Sequence, residues 1–235
     1  MTLLLLFIPP EALHGAQRRL GVQPNIYIAL HRLVNMKDAE LALRLSAAMW
    51  QYWQQFGIWD EAFTWFNRAL STSPTLSTEA FLVAKATALY RLGLLTNYKG
   101  DMESATKLCQ ESLSIFQAIQ DRHGTYWAQY ALASVAMYRG HSTEAATNLG
   151  ECLAGFREYS DSRGIIWTLN DLGLVAEDQG NYAQARSLFE GLNIVYNSWR
   201  IEWSDRSPNQ CWLFIGRIGE LCGSHRTNAR RFRAI

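Results

Sequence analysis

The amino-acid sequence predicts an all-α protein, a right-handed solenoid of stacked antiparallel helical hairpins, and three observations carry that prediction. One pattern is written twice at an offset of forty residues. It runs Asp121-Arg122-His123-Gly124 with Trp127, Leu132, Ala133, Ala136 and Gly140, then Asp161-Ser162-Arg163-Gly164 with Trp167, Leu172, Gly173, Ala176 and Gly180. Glycines follow apolar helical runs at positions 57, 100, 140 and 180, at intervals of 43, 40 and 40 residues, and Gly223 extends the series. On each side of a glycine the apolar residues recur at spacings of three and four, as in Leu169, Leu172, Val175 and Ala176 before Gly180 and Tyr182, Ala185, Phe189 and Leu192 after it. That spacing is one face of a helix. A fixed period of this size marks a stack of units, each a helix, a tight turn and a helix that cannot bury its apolar face alone.

Residues 1–37 read as N-terminal helices leading into the stack. The apolar run Leu3 to Ile8 ends at Pro9-Pro10 and is too short for a secretory leader or for a membrane helix of roughly 20 apolar residues. It is expected to pack on the first helices, which are predicted over Glu11 to Leu20 and Asn25 to Asn35. Residues 38–195 hold four hairpins. In the first, Leu41, Leu45, Met49 and Trp53 lie four apart, Gly57 stops the helix, and Ala62, Phe66 and Ala69 follow. Trp50, Trp53, Trp59 and Trp65 crowd this hairpin; an aromatic core sealing the start of the stack is the first reading and a ligand-binding cage the alternative.

A loop over Ser71 to Ser77, with Pro74 inside, leads to the second hairpin. There Leu89, Leu92, Gly93 and Leu95 run to the stop at Gly100-Asp101, and Ala105, Leu108, Leu113 and Phe116 build the partner helix. The third and fourth hairpins are the two copies of the repeated pattern. A glycine directly after a helical run is the expected stop, because it adopts the left-handed conformation without a side-chain penalty. Ala145 and Ala185 let paired helices approach, and Gly173 marks the closest approach in the fourth unit.

Residues 196–235 read as a degenerate fifth hairpin with an Arg-rich end. Trp212, Ile215 and Ile218 match Leu169, Leu172 and Val175. Residues 196–222 are expected to be helical and packed, 224–235 to fray, and Arg230, Arg231 and Arg233 to form a solvated face, with contact to nucleic acid or an acidic partner as the alternative.

The frame of small residue, helix, Gly-Asn or Gly-Asp turn, Ala and Phe resembles the tetratricopeptide repeat, over roughly residues 25 to 195, which implies a superhelical stack of that kind. The longer period, the phrase Asp38-Ala39-Glu40-Leu41-Ala42-Leu43-Arg44-Leu45 followed by Trp50 and Trp53, and the Asp-x-x-Gly openings at Asp121 and Asp161 look like one subclass. It is the repeat region of bacterial MalT-like and LuxR-type signal-transduction ATPase regulators. The resemblance implies a setting in signalling or transcriptional regulation and a cytoplasmic protein. It also raises the alternative that the chain is a truncated fragment of a larger regulator with no activity of its own.

Composition narrows the function classes. With 49% hydrophobic residues and a net charge of +1, a packed core is feasible and no overall bias toward nucleic acid or membrane is expected. Cys109, Cys152, Cys211 and Cys222 lack CxxC spacing and read as free buried thiols, so neither a metal nor another cofactor is expected. No Walker-type phosphate loop, H-E-x-x-H pair or G-x-S-x-G elbow occurs. His123 and His141 read as solvated turn residues, and Asp171 and Glu177 as surface carboxylates without a tuning partner. A non-catalytic interaction module is therefore expected, binding a protein or peptide segment on its concave face, with a small-molecule effector as an alternative.

Positions thirteen, ten, six and three before each turn glycine form one stripe along the first helix of every unit. In order these are Arg44, Ala47, Gln51 and Gln54; Thr87, Tyr90, Leu94 and Asn97; Trp127, Tyr130, Ser134 and Met137; Trp167, Asn170, Leu174 and Glu177. Aromatic and amide side chains of this kind suit a protein-binding groove. Arg44 is the only basic residue among them, which argues against a phosphate track, and the recurring Lys and Asn of a carboxylate clamp are absent. Trp127 and Trp167 read first as plugs between neighbouring units, with a place in the groove as the alternative. Tyr90, Tyr130 and Asn170 are the better groove candidates, being nearer mid-helix with polar tips.

Overall fold

The computed structural model of the protein describes residues 22–72 and 77–204. They contain nine helices and no strand: α1 (Val22–Asn35), α2 (Ala39–Phe56), α3 (Trp59–Ser71), α4 (Glu79–Tyr98), α5 (Met102–Ala118), α6 (Arg122–Tyr138), α7 (Ser142–Glu158), α8 (Ser162–Asp178) and α9 (Tyr182–Ser204). Residues 26–197 form one compact unit. Residues 22–25 and 198–204, the outer turns of α1 and α9, lie outside that unit. Pairs α2/α3, α4/α5, α6/α7 and α8/α9 are the four hairpins. Expectations for 1–21, 73–76 and 205–235, including most of the fifth hairpin, Gly223, Cys211, Cys222 and the terminal arginines, lie outside the described residues.

The turns between paired helices are set by local chemistry. Gly57, Gly100, Gly140 and Gly180 have φ of 66, 89, 81 and 75°, conformations open to glycine and strained for other residues. At Gly140 the amide donates to Met137 O (3.0 Å) and the next amide, of His141, to Ala136 O (3.0 Å). This is the six-to-one closure that satisfies the last carbonyls of a helix.

The same closure joins one unit to the next. Asp121 N donates to Phe116 O and Asp161 N to Phe156 O, both at 2.9 Å, but there the left-handed positions are Gln120 and Ser160, at φ 58 and 52°. Each of these two aspartates then starts the following helix, its Oδ1 accepting from Gly124 N (2.9 Å) and Gly164 N (3.0 Å), which supplies a partner for one orphan amide. The Asp-x-x-Gly openings thus have a double cause. A Cβ on Gly124 would stand 2.3 Å from the Phe116 ring, and one on Gly164 would stand 2.4 Å from Phe156. The glycine lets the phenylalanine of the preceding unit lie flat on the new helix.

Within a hairpin, alanine five residues after the turn glycine recurs as Ala62, Ala105, Ala145 and Ala185, all buried. Gly173 faces Phe189, whose ring atom would be 2.5 Å from an added Cβ, in agreement with its expected place at the closest approach. Two polar tethers sit at matching positions twelve after the glycine. Ser112 Oγ donates to Ala86 O (2.7 Å) and Cys152 Sγ to Tyr126 O (3.6 Å). Cys109 and Cys152 are free and buried, and burial pushes both thiols up to about 12.

Helix α1 starts at Val22, three residues ahead of the expected Asn25. Two residues assigned to apolar stripes face solvent instead: Leu41 is exposed and Tyr182 is 72% exposed. Both stand in the first turn of their helices, where the apolar spacing continues but the neighbouring helix has not yet been reached.

Candidate functional site

The first helices of successive hairpins, α2, α4, α6 and α8, pack on one another, so one face of each contributes to a shared surface. Its closure is recorded by Trp50 of the first hairpin and Trp167 of the fourth, whose ring centroids are 5.1 Å apart. Trp50 therefore belongs to this inner surface rather than to the aromatic core of its own hairpin, where Trp53 and Phe66 meet at 5.7 Å.

The stripe residues divide by depth. Tyr90, Leu94, Asn97, Trp127, Tyr130 and Ser134 are buried. Gln51, Gln54, Met137, Trp167, Asn170, Leu174 and Glu177 are half-buried, and Arg44 is exposed in an i,i+4 pair with Glu40 (3.3 Å). Tyr90 stacks on Trp127 (5.9 Å, 13°). Trp127 lies 4.7 Å from Phe156 and its Nε1 donates to Asp161 Oδ2 (3.0 Å). It is a plug between the third and fourth units, while Trp167 keeps a face toward the surface. Tyr90 and Tyr130, singled out for their polar tips, have those tips engaged: Tyr90 Oη accepts from Arg91 Nε (3.1 Å) and Tyr130 Oη donates to Asp171 Oδ2 (2.7 Å).

Two expectations are corrected here. Asp171 is no surface carboxylate: it is 7% exposed, accepts also from Asn170 Nδ2 (3.1 Å), and burial pushes it up to about 6. Desolvation penalises the charged form, and two neutral hydrogen bonds offset that only in part. His123 is no free turn residue. Its Nε2 lies 2.9 Å from Asp161 Oδ2 and its ring tilts on Tyr159 at 5.1 Å. Burial raises the Asp161 carboxyl, but His123, the Gly164 amide and Arg163 outweigh it and hold the group below the usual range. Two basic residues from outside the stripe lie over its rings and over Trp50. Arg91 lies over Trp50 (6.0 Å) and Tyr90 (5.6 Å) and donates from Nη1 to Ala47 O. Arg163 lies over Trp127 (4.9 Å), and burial, then the charge of Arg91, lowers its pKa.

Tyr98 and Tyr138, both two residues before a turn glycine, complete the surface. They meet edge to face at 5.9 Å, and Tyr98 Oη is bonded to Gln54. Burial raises Tyr98, Tyr130 and Tyr138, the last to about 12. A sequence signal for the missed charges exists. Position nine before the glycine reads Ala48, Arg91, Ala131 and Asp171, and a charge where sister units place alanine marks a helix face that is not simply packed.

Asn97 departs from the rest. It is 2% exposed, and neither Oδ1 nor Nδ2 of its amide has a partner among the described residues. No group of three or more His, Cys, Asp or Glu able to hold a metal occurs among the described residues, and no helix there is long and apolar enough to cross a membrane.

The tetratricopeptide repeat family matches residues 84–158 and, in a second overlapping register, 124–190. No curated protein matches the chain in sequence. Among solved structures it is similar to a Rap protein complexed with Competence and Sporulation Factor (TM-score 0.59, 14% identity over 67% of this chain), of which it spans only 44%. It is also similar to BtubC from P. vanneervenii (0.60, 14%, 81% of this chain and 79% of that one). A third is a putative kinesin light chain of Podosopora anserina with nearly identical TPR-like repeats (0.52, 17%, 81% and 94%). At these identities the likeness is one of fold, an all-α stack of helical hairpins.

Proposed function

We propose that the chain, which matches the tetratricopeptide repeat family over residues 84–190, is a non-catalytic interaction module that holds a protein segment on the shared face of its first helices. The observation that carries this reading is Asn97. An unpartnered buried amide costs about 1–3 kcal/mol, and an asparagine offers one acceptor and one donor group side by side, the complement of a backbone peptide unit. Both amide atoms are covered in the free chain, so a bound extended segment would satisfy them by displacing the side chains that cover them. Gln51, Met137, Trp167, Asn170, Leu174 and Glu177, which keep part of their surface open, would touch the same segment, over a floor of Tyr90, Leu94, Trp127, Tyr130 and Ser134.

The setting we infer is signalling or transcriptional regulation. It is supported by the resemblance of the Asp-x-x-Gly openings to regulator repeats and by the fold shared with a Rap protein complexed with Competence and Sporulation Factor.

Selection of a displayed peptide library on the protein tests the module reading. Peptides so selected should lose binding to Asn97→Leu and to Asn170→Ala. Because the orphaned amide is gone, Asn97→Leu should unfold at a higher temperature than the parent even as it stops binding. Selected peptides that bind both variants unchanged would refute the assignment.

A further inference from the structure

The same face buries a carboxylate that has no cation beside it. Each oxygen of Asp171 takes one neutral hydrogen bond, Oδ2 from Tyr130 Oη and Oδ1 from Asn170 Nδ2. No lysine, arginine or histidine pairs with it among the described residues. An ionised carboxylate accepts about four hydrogen bonds, so half of its capacity is unused. Buried ions without a counter-charge are costly, and such a group gains most from an incoming opposite charge.

The surroundings are aromatic. Tyr130 and Trp167 meet at 6.1 Å, Trp167 and Trp50 at 5.1 Å, and Tyr98 and Tyr138 at 5.9 Å. An ionised Asp171 raises each of the phenols Tyr98, Tyr130 and Tyr138, and Tyr130 is bonded to it directly. The edge of this cluster reaches solvent, since Tyr138 is 36% exposed and Trp167 and Asn170 are half-buried. Ring faces attract cations, and a carboxylate beneath them adds a charge-assisted hydrogen bond. The positive charges of the face do not fill this role, because Arg91 and Arg163 are held against Trp50, Tyr90 and Trp127.

We propose that Asp171, framed by Tyr98, Tyr130, Tyr138 and Trp167, is the anchor for a basic side chain of the bound segment, a lysine-type primary ammonium. The compact ammonium carries three donors. One suits the open lone pairs of Asp171, and the Tyr130 oxygen, whose own proton goes to Asp171, retains acceptor capacity for a second. This inference rests on the segment-binding reading and names the chemistry of one contact within it.

The titratable groups that face Asp171 are Tyr98 from α4 and Tyr130 and Tyr138 from α6. All three are held above the ordinary phenol range by burial and stay neutral near pH 7. Among the described residues no charged side chain of α7 or α9 shifts it. Asp171 is the member of this set that changes charge near neutrality, so cation binding should strengthen as pH rises from about 5 to about 7.

The test uses n-butylammonium with n-butanol as the neutral isostere. Tryptophan fluorescence would be followed together with the NMR titration of the Asp171 carboxyl carbon in the whole chain. Butylammonium is expected to change the fluorescence and to lower the apparent pKa of Asp171. Asp171→Asn should weaken its binding by at least about 10-fold, and Tyr130→Phe, which removes the second acceptor but keeps the Asp171 charge and the ring, should weaken it by less. Equal effects of butanol and butylammonium, unchanged binding to Asp171→Asn, or no binding up to about 100 mM would each overturn the anchor. Selected peptides that need Asn97 yet bind equally well with lysine replaced by glutamine would overturn the anchor alone. Peptides indifferent to Asn97 would instead overturn the segment-binding reading while butylammonium still reports on Asp171.

Discussion

Replacing Asp171 by asparagine should make the protein more stable at neutral pH, and the size of the effect follows from the environment of the carboxyl. The group is buried, bonded to Tyr130 and Asn170, and raised to about 6 from an unfolded-state value of about 3.9. Two units correspond to about 3 kcal/mol of penalty on the ionised form at about 1.4 kcal/mol per unit. Below pH of about 3.9 the carboxyl is protonated in both folded and unfolded chains, so the penalty is absent. Between the two values the folded state holds more protons, and stability falls as pH rises. Above about 6 the full penalty persists.

The amide introduced by Asp171→Asn could still accept from Tyr130, but its nitrogen would compete with that of Asn170, at a cost of about 1 kcal/mol that does not change with pH. The quantity to measure is therefore the difference in unfolding free energy between Asp171→Asn and the parent, by urea titration at pH 3.5 and 7.5. It should rise by about 3 kcal/mol in favour of the variant from the lower pH to the higher. A thermal shift of roughly 6–12 °C at pH 7.5 relative to pH 3.5 would accompany it. A difference that is flat with pH, or one that falls, would show that Asp171 is neither buried nor raised.

Other substitutions examine the repeat frame. Asp161→Ala should cost more than Asp121→Ala by at least about 1 kcal/mol in chemical denaturation. Both lose a cap worth about 1 kcal/mol, but only Asp161 also accepts from Trp127 and faces His123. Because the Asp161 carboxyl is held below its ordinary range, the extra stability should be present at neutral pH and fade as pH falls through the acidic carboxylate range. Gly173→Leu places a side chain where even a Cβ is 2.5 Å from the Phe189 ring, and a thermal melt should show a loss of roughly 1–3 kcal/mol. Ser160→Gly should gain about 1 kcal/mol by calorimetry, since Ser160 sits at φ 52° in a region costly to residues with a Cβ. An unchanged melting temperature would mean that this turn relaxes without strain.

Much of the hairpin architecture was legible because its causes lie within a few residues of one another. The stops at Gly57, Gly100, Gly140 and Gly180, the alanines five residues later and the close approach at Gly173 follow from local sterics and a helical period. Leu41 and Tyr182 show where that reasoning fails, for apolar spacing does not say where a neighbouring helix begins to cover a turn. The candidate site was legible in outline only. Counting back from the glycines finds one face of each first helix, but depth on that face is set by how the units stack.

Asp171 and Arg91 share a position with Ala48 and Ala131, and neither charge could be assigned a partner or a burial from the chain alone. Sequence by itself determined which segments are helices, where they turn and which side of each meets its own partner, because those choices are made by interactions across three to nine residues. Only the tertiary structure decided that Trp50 would meet Trp167, that Tyr130 would donate to Asp171 and that Asn97 would lie buried without a partner. Those outcomes depend on small rotations between successive units, which accumulate from the first hairpin to the fourth.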